Sequence, residues 1–189
     1  MSRVRVVAVA GNVTSPSRTR VLVQNIVDAL GRRFEAEVEI IDLSAIGPLL
    51  GSSLSRKQLA PTAEAAVAAI EGADLIVATT PIYRGSYTGL FKHLFDFVGH
   101  EALVGKPVLF GATGGSERHS LAIDHQLRPL FAFFRAHSLP TGVYAIESDF
   151  DGYVLVNSAI HDRIEAAADE AKRFVEHHSR AARGIRAVA

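Results

Sequence analysis

The chain has 189 residues, 48% hydrophobic and 21% charged, the composition of one compact domain with a sizeable core and not of a disordered chain. Twenty basic side chains cancel twenty acidic ones, so the charge balance gives no reason to expect nucleic acid or an anionic membrane surface as a partner. Cysteine is absent, which removes disulfides, thiolate nucleophiles and cysteine-ligated metal centres, and no signal-like N-terminus or apolar stretch of about 18 residues is present, so a cytoplasmic protein without membrane spans is expected.

In chain order, the β-branched run Val4–Ala10 reads as a buried strand, and residues 17–34 read as a helix. Within that helix Val21, Leu22, Asn25, Ile26, Ala29 and Leu30 recur at helical spacing and form a core-facing stripe. Strand 36–41 follows, then an irregular stretch 47–61, expected as a surface loop or an oligomer contact. Helix 62–71, strand 73–79, helix 88–99, strand 107–112, helix 120–137 and strand 140–145 continue the alternation. Residues 150–157 make a further excursion before a last helix, 158–178. The tail of about 179–189, with Arg180, Arg183 and Arg186, is basic and is expected to fray. Strand and helix alternate five times without a linker or repeat. That predicts a single α/β domain over 1–189, a flavodoxin-like three-layer sandwich with a five-stranded parallel sheet in the order 2-1-3-4-5.

In such a sheet a ligand lies beyond the strand C-termini, where the strand order switches. Three loops are expected to converge there: 11–19, 81–87 and 113–119. The first has neither a G-x-G-x-x-G fingerprint nor a Walker loop. It offers Asn12, Thr14, Ser15, Ser17 and Thr19 as donors and Arg18 as a bidentate cation, at the entry to a helix whose N-terminal N–H groups favour an anion. A loop of hydroxyls suits a terminal monophosphate, as in FMN. The second, with Pro81, Ile82, Tyr83 and Arg84, suits the edge of a flat ring. In the third, Thr113, Gly114 and Gly115 let backbone approach a planar heterocycle closely. Read singly, these are a helix N-cap, packed aromatics and a turn; their convergence points to a nucleotide.

Competing chemistries fit less well. Ser116, His119 and Asp124 would be the hydrolase candidates, but they share one segment and lack the G-x-S-x-G elbow. The eight histidines show no ligand spacing, and His177-His178 reads as a solvated helix end.

A family resemblance rests on these residues. Ala10-Gly11 with Pro16-Ser17-Arg18-Thr19, the run from Ala73 to Tyr83, Ser86 to Lys92 and Leu103 to Val108 are its matching stretches. The most specific is Ala112-Thr113-Gly114-Gly115 followed by the run from His119 to Pro129. Over about residues 4–148 the chain resembles the NAD(P)H-dependent FMN reductases that supply reduced flavin to alkanesulfonate and methanesulfonate monooxygenases. The resemblance implies FMN in the three loops, NAD(P)H stacked on the exposed ring face, a flavin-dependent monooxygenase partner and a homodimer or homotetramer. It maps Ser17, Arg18 and Thr19 onto the phosphate loop, Pro81, Tyr83 and Arg84 onto the flavin edge, and Thr113, Gly114 and Gly115 beside the ring.

Two departures stand out. The wider family carries an arginine in a G-S-x-R turn after the first strand, whereas Gly11-Asn12-Val13-Thr14 lacks it, which leaves the phosphate charge to Arg18. Some members of this branch insert a tyrosine linked to a π-bulge at the tetramer interface, and His125 stands at that position. Hydride transfer between stacked rings needs no acid, base or nucleophile, so no catalytic side chain is assigned. An FMN-retaining reductase of quinones, azo dyes or metal ions is the nearer alternative. A flavodoxin-type electron carrier is the other, and the neutral charge speaks against it.

Overall fold

The computed structural model describes residues 3–186, the side chains of 178–186 excepted. A parallel sheet is built from β1 (Val4–Ala10), β2 (Ala36–Asp42), β3 (Leu75–Pro81) and β4 (Pro107–Gly114), in the order β2-β1-β3-β4. The fifth position is shared by β5 (His137–Ser138) and β6 (Val143–Ile146), both parallel to β4. The expected order 2-1-3-4-5 is therefore borne out, with its last strand split. Pro140 has no N–H to give a ladder, and Leu139 to Gly142 pass between the two pieces.

The alternation along β1 sets the layers. Val6, Ala8 and Ala10 face a core shared with α1 (Arg18–Gly31) and α6 (Ser158–Arg186). Val7 and Val9 face the other core, under α2 (Leu43–Gly51), α3 (Pro61–Gly72), α4 (Gly89–Asp96) and α5 (Arg128–Phe133). In the second core Phe91, Phe95, Phe110 and Phe131 are fully buried, and Phe95 meets Phe131 edge-on at 4.9 Å between centroids.

The structure corrects several expected boundaries. Residues 47–61 are not simply irregular, because α2 occupies Leu43–Gly51 and a 3-10 turn Arg56–Gln58. Gly47 and Pro48 suggest a break, but Asp42 caps the helix and burial of Leu43, Ile46 and Leu50 outweighs them. β3 begins at Leu75 because Asp74 is spent on Arg5, accepting from its N–H at 2.9 Å. The expected helix 120–137 is a π turn, Ile123–Leu127, running into the short α5. Arg135, at φ +54, lies beyond its end, and β5 follows at His137. The excursion at 150–157 is a hairpin of β7 (Phe150–Asp151) and β8 (Val154–Leu155). The backbone of α6 runs to Arg186, while the side chains of the basic tail, Arg180, Arg183 and Arg186 among them, lie outside the described residues. No described helix is long and apolar enough to cross a membrane.

Candidate functional site

Gly11 roots the first loop against the sheet. A Cβ there would stand 2.8 Å from Phe91 and 2.9 Å from Thr80, so only glycine fits. Its N–H donates to the Thr79 carbonyl at 2.7 Å, and its carbonyl accepts from the Thr88 hydroxyl at 2.9 Å. The chain then rises over Thr14 and a cis Ser15–Pro16 bond to Ser17, the N-cap of α1. Ser17 Oγ accepts from the N–H groups of Thr19 and Arg20, at 3.1 and 3.4 Å, which leaves its own hydroxyl proton to be donated.

The three loops do converge. A cavity of about 290 Å3 is lined from the first loop by Thr14, Pro16, Ser17, Arg18 and Thr19. Pro81, Ile82 and Tyr83 line it from the second loop, and Thr113, Gly114 and Gly115 from the third. Thr19 and Thr113 meet hydroxyl to hydroxyl at 2.6 Å, buried, and join the start of α1 to the end of β4. Nothing lies within 4 Å of a Cβ built on Gly115, so that turn is open to a ligand. Gly114 is closed on the other side, where its Cβ would stand 2.0 Å from the Tyr144 hydroxyl. That hydroxyl donates to the Ser116 carbonyl at 2.7 Å, and burial pushes the Tyr144 phenol up, which keeps it a donor.

Two expected site residues face elsewhere. Asn12 is buried below the loop, donating to Thr14 O at 3.1 Å and to Asp42 Oδ1 at 2.9 Å, and it does not line the cavity. Arg84 stands at the exposed tip of a two-residue turn. It lies at φ +55 and Gly85 at φ +86, between Tyr83 and Ser86, which bond to each other in both directions. Arg18 does line the cavity, but its guanidinium reaches across to the far wall. It pairs with Glu147 at 2.9 Å, donates to the Gly152 carbonyl at 3.2 Å and lies 5.8 Å from the Tyr153 ring centroid.

That far wall is what sequence reasoning missed. Ile146, Glu147, Phe150 and Tyr153, from the end of β6 and the β7–β8 hairpin, complete the cavity. The Asp151-Gly152 turn signal marks a hairpin, and Gly152 sits at φ +58, but nothing local says that it folds over the α1 entrance. His125 is exposed on the π turn, whose signature bond runs from the Arg128 N–H to the Ile123 carbonyl. The neighbouring Gln126 accepts from the Ser86 hydroxyl at 3.0 Å. Asp124 is held by Arg128 at 2.7 Å, and among the described residues no hydrogen bond joins Ser116, His119 and Asp124 into a triad. No cluster of described residues could hold a metal ion.

The donor set fits a flavin mononucleotide. A helix N-terminus, hydroxyl donors and a single lining cation suit its phosphate, and an open glycine turn beside Tyr83 suits its ring. Known proteins point the same way. The chain is 49% identical over 167 residues to an FMN reductase (NADPH) of Pseudomonas aeruginosa, covering 88% of this chain and 90% of that protein. It is 50% identical over 179 residues to the NADH-dependent FMN reductase SfnF of Pseudomonas fluorescens, covering 94% and 96%. The crystal structure of an oxidoreductase from Corynebacterium diphtheriae superimposes with a TM-score of 0.84 at 33% identity, over 94% of this chain and 99% of that one. A family model described as NADPH-dependent FMN reductase matches residues 4–151, most of the chain, and the chain belongs to that family.

Proposed function

We propose that the protein oxidises NADH or NADPH and reduces free FMN, which it hands to a flavin-dependent monooxygenase in the cytoplasm. The observation that carries this reading is the convergence of hydroxyl and backbone donors from three loops on one open cavity at the N-terminus of α1. When bound, FMN supplies a ring that accepts hydride from reduced nicotinamide. Ser17, Thr14 and the α1 N-terminus hold its phosphate, with Arg18 as counter-ion. Gly114 and Gly115 receive the ring, and Tyr83, half exposed, borders the side from which nicotinamide stacks. Names of both NADPH- and NADH-dependent relatives near 50% identity support a reductase that accepts either nucleotide or differs narrowly between them. The π turn bearing the exposed His125 is the contact of a homodimer or homotetramer in this reading.

Steady-state NAD(P)H oxidation with and without added FMN tests it. Turnover that saturates with micromolar free FMN is the expected result. Turnover only with a quinone or azo dye, by protein purified with its flavin, would make FMN a prosthetic group. Bound FMN without any turnover would make the protein an electron carrier.

A further inference from the structure

We infer that Glu147 is the residue that keeps flavin binding weak and reversible, by occupying Arg18 until a phosphate displaces it. The inference rests on the FMN reading above. Arg18 and Glu147 are the only charged side chains among the described residues that line the cavity, and they are paired at 2.9 Å across it. Side-chain exposures of 35% for Arg18 and 66% for Glu147 leave the pair reachable by a ligand from solvent.

A phosphate carries between one and two negative charges near neutral pH, and its best counter-ion here is already neutralised. Entry therefore either breaks the Arg18–Glu147 pair or sets a carboxylate beside the phosphate. Both cost affinity, and both costs vanish for a ligand without a phosphate. The Gly152 carbonyl and the Tyr153 ring hold the same guanidinium from the hairpin, so Arg18 stays aimed at the far wall while Ser17 and the helix N-terminus wait at the near one. A protein that kept its flavin permanently would gain from a neutral residue at position 147. A protein that must release reduced FMN gains from a carboxylate that reclaims the arginine.

The test is flavin binding by fluorescence quenching, for FMN and riboflavin, in wild type, Glu147→Gln, Arg18→Ala and the double variant. Glu147→Gln should tighten FMN about 2- to 5-fold, the upper range of an exposed ion pair, and leave riboflavin binding essentially unchanged. In the Arg18→Ala background the same substitution should tighten FMN by clearly less than it does alone. Unchanged or weaker FMN binding in Glu147→Gln would overturn the inference, as would equal tightening of riboflavin, which would mean that position 147 acts on the ring. Wild-type protein that binds no flavin at all would overturn the FMN reading itself, a result distinct from an unresponsive Glu147.

Discussion

At the N-terminal end of the strands a cavity of about 460 Å3, larger than the one between the three loops, is rimmed by Arg3, Arg5, Glu71, Asp74 and Lys106. Its charges answer one another. Arg3 pairs with Glu35 at 2.8 Å and Arg5 with Asp74 at 3.9 Å, and Lys106 donates to the Glu71 carbonyl. The Glu71 carboxylate is itself held by Arg56 at 2.9 Å and by the Gly99 N–H at 2.8 Å. The C-terminal end differs. The two buried side-chain atoms left without a partner among the described residues, Asn12 Oδ1 and Thr79 Oγ1, lie in that half, as does the π turn, whereas left-handed backbone occurs at both ends, at Arg84 and Gly85 here and at Gly105 and Arg135 there. Size does not single out the end at which the three loops converge. Groups still able to bond do, among them the Ser17 hydroxyl at the cap of α1 and the open Gly115 turn.

Three substitutions sharpen the contrast, from strongest to weakest. Gly114→Ala drives a Cβ into the Tyr144 hydroxyl, and overpacking of this kind costs about 1–3 kcal/mol. We expect lower stability in urea unfolding and weakened FMN binding, both partly restored when Tyr144→Phe removes the hydroxyl. Restoration of neither would mean that the Tyr144 hydroxyl is not what opposes the added Cβ, and no loss in Gly114→Ala itself would mean that the turn moves freely. Ser17→Ala removes the cap of α1, worth about 1 kcal/mol, and with it the hydroxyl proposed to bond the phosphate. Its signature is a loss of FMN affinity that riboflavin does not share, alongside a modest drop in melting temperature.

The third substitution, Arg56→Ala, belongs to the saturated end. Arg56 bonds Glu64 and Glu71 at 2.8 and 2.9 Å, and its loss should cost about 1 kcal/mol, in keeping with half-exposed ion pairs. FMN affinity should not change. Arg56 holds the Glu71 carboxyl below the usual carboxylate range, against the desolvation that would raise it. A depressed carboxylate stabilises the fold above its unfolded pKa, near 4.3, and that contribution fades as pH falls through the folded value. The difference in melting temperature between wild type and Arg56→Ala should therefore be full at neutral pH and shrink below about pH 4. A difference that is constant down to pH 3 would assign the effect to packing.

The parts legible in the sequence are those governed by short-range pattern. β1, β3 and β4 are apolar runs because both faces of the sheet are covered, which marks them as its central strands, and the five-fold strand–helix alternation supplies the doubly wound order. The three loops follow from the strand ends, and the FMN-reductase resemblance was borne out by the family match. What stayed hidden depends on partners distant in the chain. α2 forms despite Gly47 and Pro48 because Leu90 of α4 closes over Gly47, where a Cβ would stand at 2.8 Å. Arg18 reads as a free phosphate ligand until Glu147 and the hairpin are brought across from the other end of the chain. Asn12 looks like a loop donor, yet Asp42 at the end of β2 draws its amide inward. His125 is the instructive intermediate: a plain helix is expected across its position, the family resemblance ties that position to a π-bulge, and a π turn stands there, while its role at an interface rests on proposal.

The buried hydroxyl contact between Thr19 and Thr113 bolts the start of the helix proposed to hold the phosphate to the end of the strand proposed to meet the ring. On the proposed reading the site would work as a caliper of fixed gauge. A flavin nucleotide would fit by folding its own flexible sugar-alcohol chain to the span between the two jaws, so that ring and phosphate would be measured together instead of being recognised one at a time.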